Sequence, residues 1–197
     1  SVRSSVNWTQ NKGQYPNQVQ NKYTYTFGGD INLDKFNLSS NLSYARKHSP
    51  NMGSNGYTSY DPMYSLLIWS GADFDLMDYK DNYWMVKDQV QNYTYRTGSN
   101  NPYFDMYERT NEISRDLFNA DVAMSYQLTD WLLASVRSGL DFYTDRGDQR
   151  ISWGSYTSTG NTPIPGNPWT WNGAWTGGYN TGQTQGLSIN NDLLLTG

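Results

Sequence analysis

The chain has 197 residues, a net charge of −4 and 36% hydrophobic residues, against roughly 45–50% in soluble globular domains, yet 16% of it is aromatic. A polar chain poor in aromatics reads as disordered, and 17 Tyr with 8 Trp exclude that reading. The lack of cysteine excludes disulfides, thiolate zinc sites and thiol nucleophiles, no basic stripe suggests nucleic acid, and no apolar run approaches the roughly 18 residues of a transmembrane helix.

Taken in chain order, the dominant signal is period-2 alternation, which marks strands with one apolar and one polar face. Val2, Val6 and Trp8 alternate with Arg3, Ser5, Asn7 and Thr9. A medium loop over 11–20 follows. From 22 to 33, Tyr23, Tyr25, Phe27, Gly29, Ile31 and Leu33 oppose Lys22, Thr24, Thr26, Gly28, Asp30 and Asn32. Asp34-Lys35 makes a tight turn into a run with Phe36, Leu38, Ser40, Leu42 and Tyr44 on one face. A long insertion then spans about 48–102. It holds the lone histidine, His48, read as a solvated loop residue. It also holds an apolar run, 63–69, expected to form a short helix buried among loops or under a lid. Four carboxylates, Asp73, Asp75, Asp78 and Asp81, lack the Gly and terminal Glu of a calcium loop and read as a solvated segment.

Alternation resumes at 118–128, with Phe118, Ala120, Val122, Met124, Tyr126 and Leu128 on one face. Thr129-Asp130-Trp131 forms a second tight turn, Asp favouring the turn and Trp suiting a membrane interface. The next run puts Leu132, Ala134, Val136, Leu140 and Phe142 on the apolar face, with Ser138 interrupting. Arg137 and Asp141 lie on its polar face and are expected to form an ion pair stiffening the wall. A Gly/Pro-rich loop over 147–182 carries Trp153, Tyr156, Trp169, Trp171, Trp175 and Tyr179. Aromatic rings stack on sugars and indole N–H groups bond hydroxyls, so these six are candidates for ligand or lid contact. A last run alternates Leu187, Ile189, Leu193 and Leu195 with Ser188, Asn190, Asp192 and Thr196.

The mid-run charges, Asp30, Asp121, Arg137, Asp141 and Asp192, all sit on polar faces. A basic side chain facing lipid at mid-depth costs about 2–4 kcal/mol, so this arrangement suits a membrane barrel. A soluble sandwich shows the same alternation. The connections separate the two. They run long, short, long, short, long, as in outer-membrane barrels, whose turns are short on one side and loops long on the other. About six strands are counted, while the smallest bacterial barrels have 8 and an open edge in lipid leaves backbone groups unsatisfied. With no signal peptide at the start and no terminal aromatic, the expectation is a segment of a larger barrel, 1–197 being a partial β-barrel domain.

Over residues 100–143 the sequence resembles the SusC/RagA family of TonB-dependent outer-membrane transporters. The resemblance rests on Asn101-Pro102-Tyr103-Phe104, Asn111, Arg115-Asp116, and the strand-turn-strand 124–132 with Thr129, Asp130 and Trp131. Arg137, Gly139, Asp141 and Tyr143 follow. Residues 15–46 look like the preceding family strands. The family usually has a basic residue after Arg-Asp and a Gly soon after, where Leu117 and Phe118-Asn119 stand here. The resemblance implies an all-β, antiparallel transmembrane β-barrel of 22 strands, of which this chain supplies six and two long extracellular loops. It implies TonB-driven import of oligosaccharides or peptides across the outer membrane of a Gram-negative bacterium, with a SusD-like lipoprotein as lid. The plug, the TonB box and the remaining strands are not recognisable in these residues.

No GxSxG, HExxH or P-loop pattern occurs, so neither catalysis nor a cofactor is expected. Two other readings stay open: a small closed outer-membrane barrel acting as adhesin or anchor, and a soluble carbohydrate-binding β-sandwich using the Trp-rich loop.

Overall fold

The computed structural model describes residues 1–53, 61–92, 100–155 and 177–197. In chain order its elements are β1 (Val2–Lys12), β2 (Val19–Leu33), β3 (Phe36–Asn51), α1 (Pro62–Trp69), a 3-10 turn (Leu76–Tyr79), β4 (Trp84–Val86), β5 (Val90–Gln91), α2 (Pro102–Tyr107), β6 (Arg109–Thr129), β7 (Leu132–Ile151) and β8 (Gly178–Thr196). Six long strands form one antiparallel sheet in the order β1-β2-β3-β6-β7-β8, and β4 and β5 make a small hairpin of their own. Each long strand pairs with the next long strand along the chain, the geometry expected when two-residue turns such as Asp34-Lys35 and Asp130-Trp131 join neighbours.

The strands outrun the apolar alternation that announces them. β1 continues to Lys12 and β2 starts at Val19, so the first connection is 13–18 rather than 11–20. β3 continues through His48 to Asn51, which makes His48 a strand residue and not a loop residue. The last connection shrinks from 147–182 to 152–177. The reason is that a ladder is held by backbone hydrogen bonds, which polar residues extend as well as apolar ones. Residues 52–108 are also not a plain loop. They hold both helices, the 3-10 turn and the hairpin.

Both helices start where capping chemistry dictates. Asp61 accepts from Met63 N (3.0 Å) and Tyr64 N (3.4 Å), with Pro62 as the first helical residue. Asn101 accepts from Tyr103 N (2.9 Å), with Pro102 following. Such a side chain satisfies amide groups that a helix start leaves open, and proline lacks the amide that would be orphaned there. The helix expected over 63–69 forms, but it is not buried: Leu67 is 74% exposed, and Ile68 and Trp69 are exposed as well. The acidic segment contributes a cap of its own, Asp75 accepting from Met77 N at 2.9 Å.

Among the described residues the buried apolar side chains are Tyr15, Val90, Tyr103, Phe104 and Met106, and none belongs to the six-stranded sheet. The core therefore sits in the loop cap at one end. Among the described residues no second layer covers either face of the sheet.

Register divides the sheet into two continuous faces. One carries the row Phe27, Leu42, Ala120, Leu140, Ile189, then Tyr25, Tyr44, Phe118, Phe142, Leu187, and on the other side Ile31, Leu38, Met124, Val136, Leu193. Aromatic residues lie toward both ends of this face. Trp8 stacks on Tyr23 (6.4 Å) and Tyr25 on Tyr44 (6.3 Å) toward the loop cap, and Trp131 stands exposed at the turn end. One row breaks the pattern with Gly29, Ser40, Ser138 and Asn191 around Val122. Its polar atoms partner each other, Ser138 Oγ lying 2.7 Å from Asn191 Oδ1. The opposite face is mainly polar, carrying Asn41, Asp121, Gly139 and Asn190 in one such row, with an apolar row of Ala45, Leu117 and Tyr143 nearer the loop cap.

Candidate functional site

The hollows open chiefly on the polar face. A hollow of about 610 Å³ near the turn end is lined by polar residues such as Asp30, Arg137 and Asp192 and also by Leu38, Met124, Val136 and Leu193 of the apolar row. A second, about 590 Å³, lies near the loop cap between Lys47, Asn111, Arg115, Asp145, Gln149 and Asn180. Soluble sheets wrap their apolar face inward around a core. In this sheet the apolar face is left exposed among the described residues, and the charges in the middle of the strands, such as Asp121 and Arg137, lie on the other face.

Cross-strand register builds the upper hollow. Thr9, Lys22, Lys47, Arg115, Asp145 and Thr184 are consecutive partners across all six strands, and so lie in one row on the polar face. Arg115 grips Asp145 with two parallel donors, Nε and Nη2, one to each carboxylate oxygen. Its guanidinium also lies 6.0 Å from the ring centre of Tyr143, on the same face. Asp116, the next residue, points to the opposite face, where it accepts from Tyr44 Oη and lies 4.0 Å from Arg46. The adjacent Arg115-Asp116 pair thus serves two surfaces. Lys22 and Lys47 carried no special signal in the sequence, because thirteen or more residues of strand and turn separate members of the row (roughly a strand length) and only register brings them together.

The expected Arg137–Asp141 pair is not formed. The two residues are two strand periods apart, about 13 Å at about 3.3 Å per residue. Asp141 instead accepts from Asn119 Nδ2, and Arg137 lies beside its strand partner Asp192 in the lower hollow. Gly139 faces the same side, where an added Cβ would sit 3.1 Å from Asp121 Oδ1. Thr129, Asp130 and Trp131 occupy the β6–β7 turn, as expected from the sequence.

Above the sheet, Asn101, Pro102, Tyr103 and Phe104 are all buried, and Phe104 is wholly so. Trp84 meets Phe104 edge-on (5.2 Å), while Tyr103 and Tyr83 stack on Tyr107. Beside them runs a buried polar clasp. Gln91 Nε2 donates to Asn100 Oδ1 (2.7 Å) and Gly154 O (2.8 Å), Asn101 N donates to Gln91 Oε1 (2.6 Å), and Asn100 Nδ2 donates to Asp105 Oδ1 (2.6 Å). This clasp joins the β3–β6 insertion to the β7–β8 connection. Gly154 is a positive-φ residue, and a Cβ there would meet Gln89 O at 2.9 Å, so only glycine lets the two segments close. Burial pushes the Asp105 carboxyl up to about 8, against the lowering effects of Asn100 and Arg109. Burial likewise raises the Tyr15 hydroxyl to about 12, helped by its bond to Asp61 (2.6 Å).

Of the aromatic contact candidates, Trp153 is 58% exposed in the turn after β7. Tyr179 opens β8, 63% exposed, its hydroxyl 3.3 Å from Asp148 and its ring under Arg150 (5.9 Å). Tyr156, Trp169, Trp171 and Trp175 lie outside the described residues. No protein-family model matches the chain, and no curated protein matches it.

Proposed function

We propose that this chain is a wall segment of a transmembrane β-barrel in the outer membrane of a Gram-negative bacterium, working as part of a SusC-like, TonB-dependent importer of oligosaccharides or peptides. The observation that carries the reading is a sheet of six long strands whose continuous apolar rows lie exposed and uncovered among the described residues, with its hollows opening chiefly on the opposite, polar face. On β2 the apolar band runs from Tyr23 to Leu33, about 25 Å tall at about 3.3 Å per residue and a strand tilt of about 40°. That height and the aromatic residues toward both of its ends match what a bilayer requires of a barrel wall. The long edges of β1 and β8 need further strands, since unpaired backbone groups in hydrocarbon cost several kcal/mol each.

In this reading the lower turns face the periplasm and the loop cap faces outward, where a SusD-like lipoprotein closes over it. The exposed Leu67, Ile68 and Trp69 of α1, with Trp153 and Tyr179, supply contact area for lid or ligand. TonB acts through parts of the importer other than this wall. No catalytic step is assigned to it. A soluble carbohydrate-binding sandwich would require a second layer over the apolar face.

The test is deletion of residues 160–175 from the full-length protein in its host. The protein should still fractionate with the outer membrane and migrate as a heat-modifiable barrel, while ligand uptake or lid association falls. Unchanged uptake and lid association would remove the loop from the mechanism. Absence of the intact protein from the outer membrane would overturn the whole reading.

A further inference from the structure

We propose that the upper hollow on the polar face is a binding subsite for an anionic oligosaccharide, one bearing carboxylate or sulfate groups, held by Lys47 and Arg115 with Lys22 beside them in the same cross-strand row. The proposal rests on the importer reading for its biological setting and on the sheet register for its chemistry.

Lys22 and Lys47 are direct partners across β2 and β3, and Lys47 and Arg115 are direct partners across β3 and β6. Like charges directly opposite one another on a sheet face are destabilising. Three cations side by side are therefore an arrangement that folding alone does not favour. Asp145, next in the row after Arg115, has both carboxylate oxygens engaged by Arg115 and lies within electrostatic reach of Lys47. Among the described residues neither lysine forms a salt bridge. The Lys47 ammonium, a mobile, multidirectional donor, lines a hollow of about 590 Å³ beside Arg115 and Arg146, and Lys22 stands next to it in the row, outside the lining itself. An anion placed there relieves the repulsion and gains charge-assisted hydrogen bonds.

The remaining lining selects a sugar over a peptide. Asn111, Gln149, Asn180 and Thr184 offer amides and a hydroxyl suited to sugar hydroxyls, and Tyr143 adds a ring on the same face. Ile113 is the single large apolar side chain lining the hollow, too little to receive peptide side chains.

The experiment uses the full-length protein extracted from outer membranes into detergent, titrated by calorimetry with four probes. These are an oligogalacturonate, a sulfated heparin-type oligosaccharide, a neutral malto-oligosaccharide of matched length, and oligoglutamate. The expected result is binding of one or both anionic oligosaccharides, weakening as salt is raised, with the tighter of the two identifying carboxylate or sulfate as the recognised group. The double variant K22Q/K47Q should lose about tenfold or more of that affinity. K22R/K47R should retain it. The ligand-free K22Q/K47Q protein should melt no lower than the wild type, since a repulsion has been removed, and a fold defect would lower it. Binding that is unchanged in K22Q/K47Q, equal affinity for the neutral sugar, preference for oligoglutamate, or failure of both anionic sugars would each overturn the proposal. Failure of the importer reading registers separately, as absence of the protein from the outer-membrane fraction.

Discussion

Arginine placed at successive depths along β2 should be tolerated or rejected according to its face and its distance from the bilayer centre. Phe27 lies on the apolar face in the row with Leu42 and Leu140, and Tyr23 lies on the same face at the loop-cap margin, stacked on Trp8. Four residues separate them, about 13 Å of strand, or about 10 Å of depth at a tilt of about 40°. Phe27→Arg should therefore cost about 2–4 kcal/mol of folding free energy in lipid, and Tyr23→Arg about 0–1 kcal/mol. Thr26, next to Phe27 but paired with Ser43 on the polar face, faces the water-filled side in this reading, so Thr26→Arg should fall within about 0.5 kcal/mol of wild type. The assay is equilibrium unfolding in guanidinium of the full-length protein reconstituted in lipid vesicles, read by tryptophan fluorescence. A Phe27→Arg cost equal to that of Thr26→Arg would refute the assignment of faces. Equal costs at Phe27 and Tyr23, or cooperative folding of the protein with no lipid or detergent present, would refute the membrane-spanning wall in favour of a buried sandwich face.

The remaining predictions concern the loop cap. Asp105 holds its proton in the folded cap up to about pH 8, whereas the exposed carboxyl releases it near the ordinary aspartate value of 3.8. Between those values the folded form binds more protons than the unfolded one, so cap stability falls as pH rises through that window. Limited proteolysis of residues 61–108 in the intact protein should therefore accelerate from about pH 5 to about pH 8, and Asp105→Asn should flatten the profile; a wild-type rate that stays level or slows would contradict this. Asn101→Ala removes the α2 cap and the bond from Asn101 Nδ2 to Asn92 O (2.9 Å). It should destabilise the cap by about 1–2 kcal/mol, visible as faster amide exchange at 102–107 with the strands unaffected.

Local chemistry made much of this architecture legible in the sequence. The period-2 runs mark six strands because neighbouring side chains on a strand point to opposite faces, whatever the strand pairs with. The two-residue turns at Asp34-Lys35 and Asp130-Trp131 follow from residue types. Strand ends were less visible, since β3 from Arg46 onward and β7 from Thr144 onward are polar on both faces and their pairing is carried by backbone groups. Tertiary structure decided the rest. Register, by setting which distant residues stand opposite, coupled Arg115 to Asp145, separated Asp116 from it, denied Arg137 the partner four residues away, and assembled Lys22, Lys47 and Arg115 into one row. No single strand carries that row, because cross-strand neighbours are fixed by pairing between segments and not by spacing along any one of them.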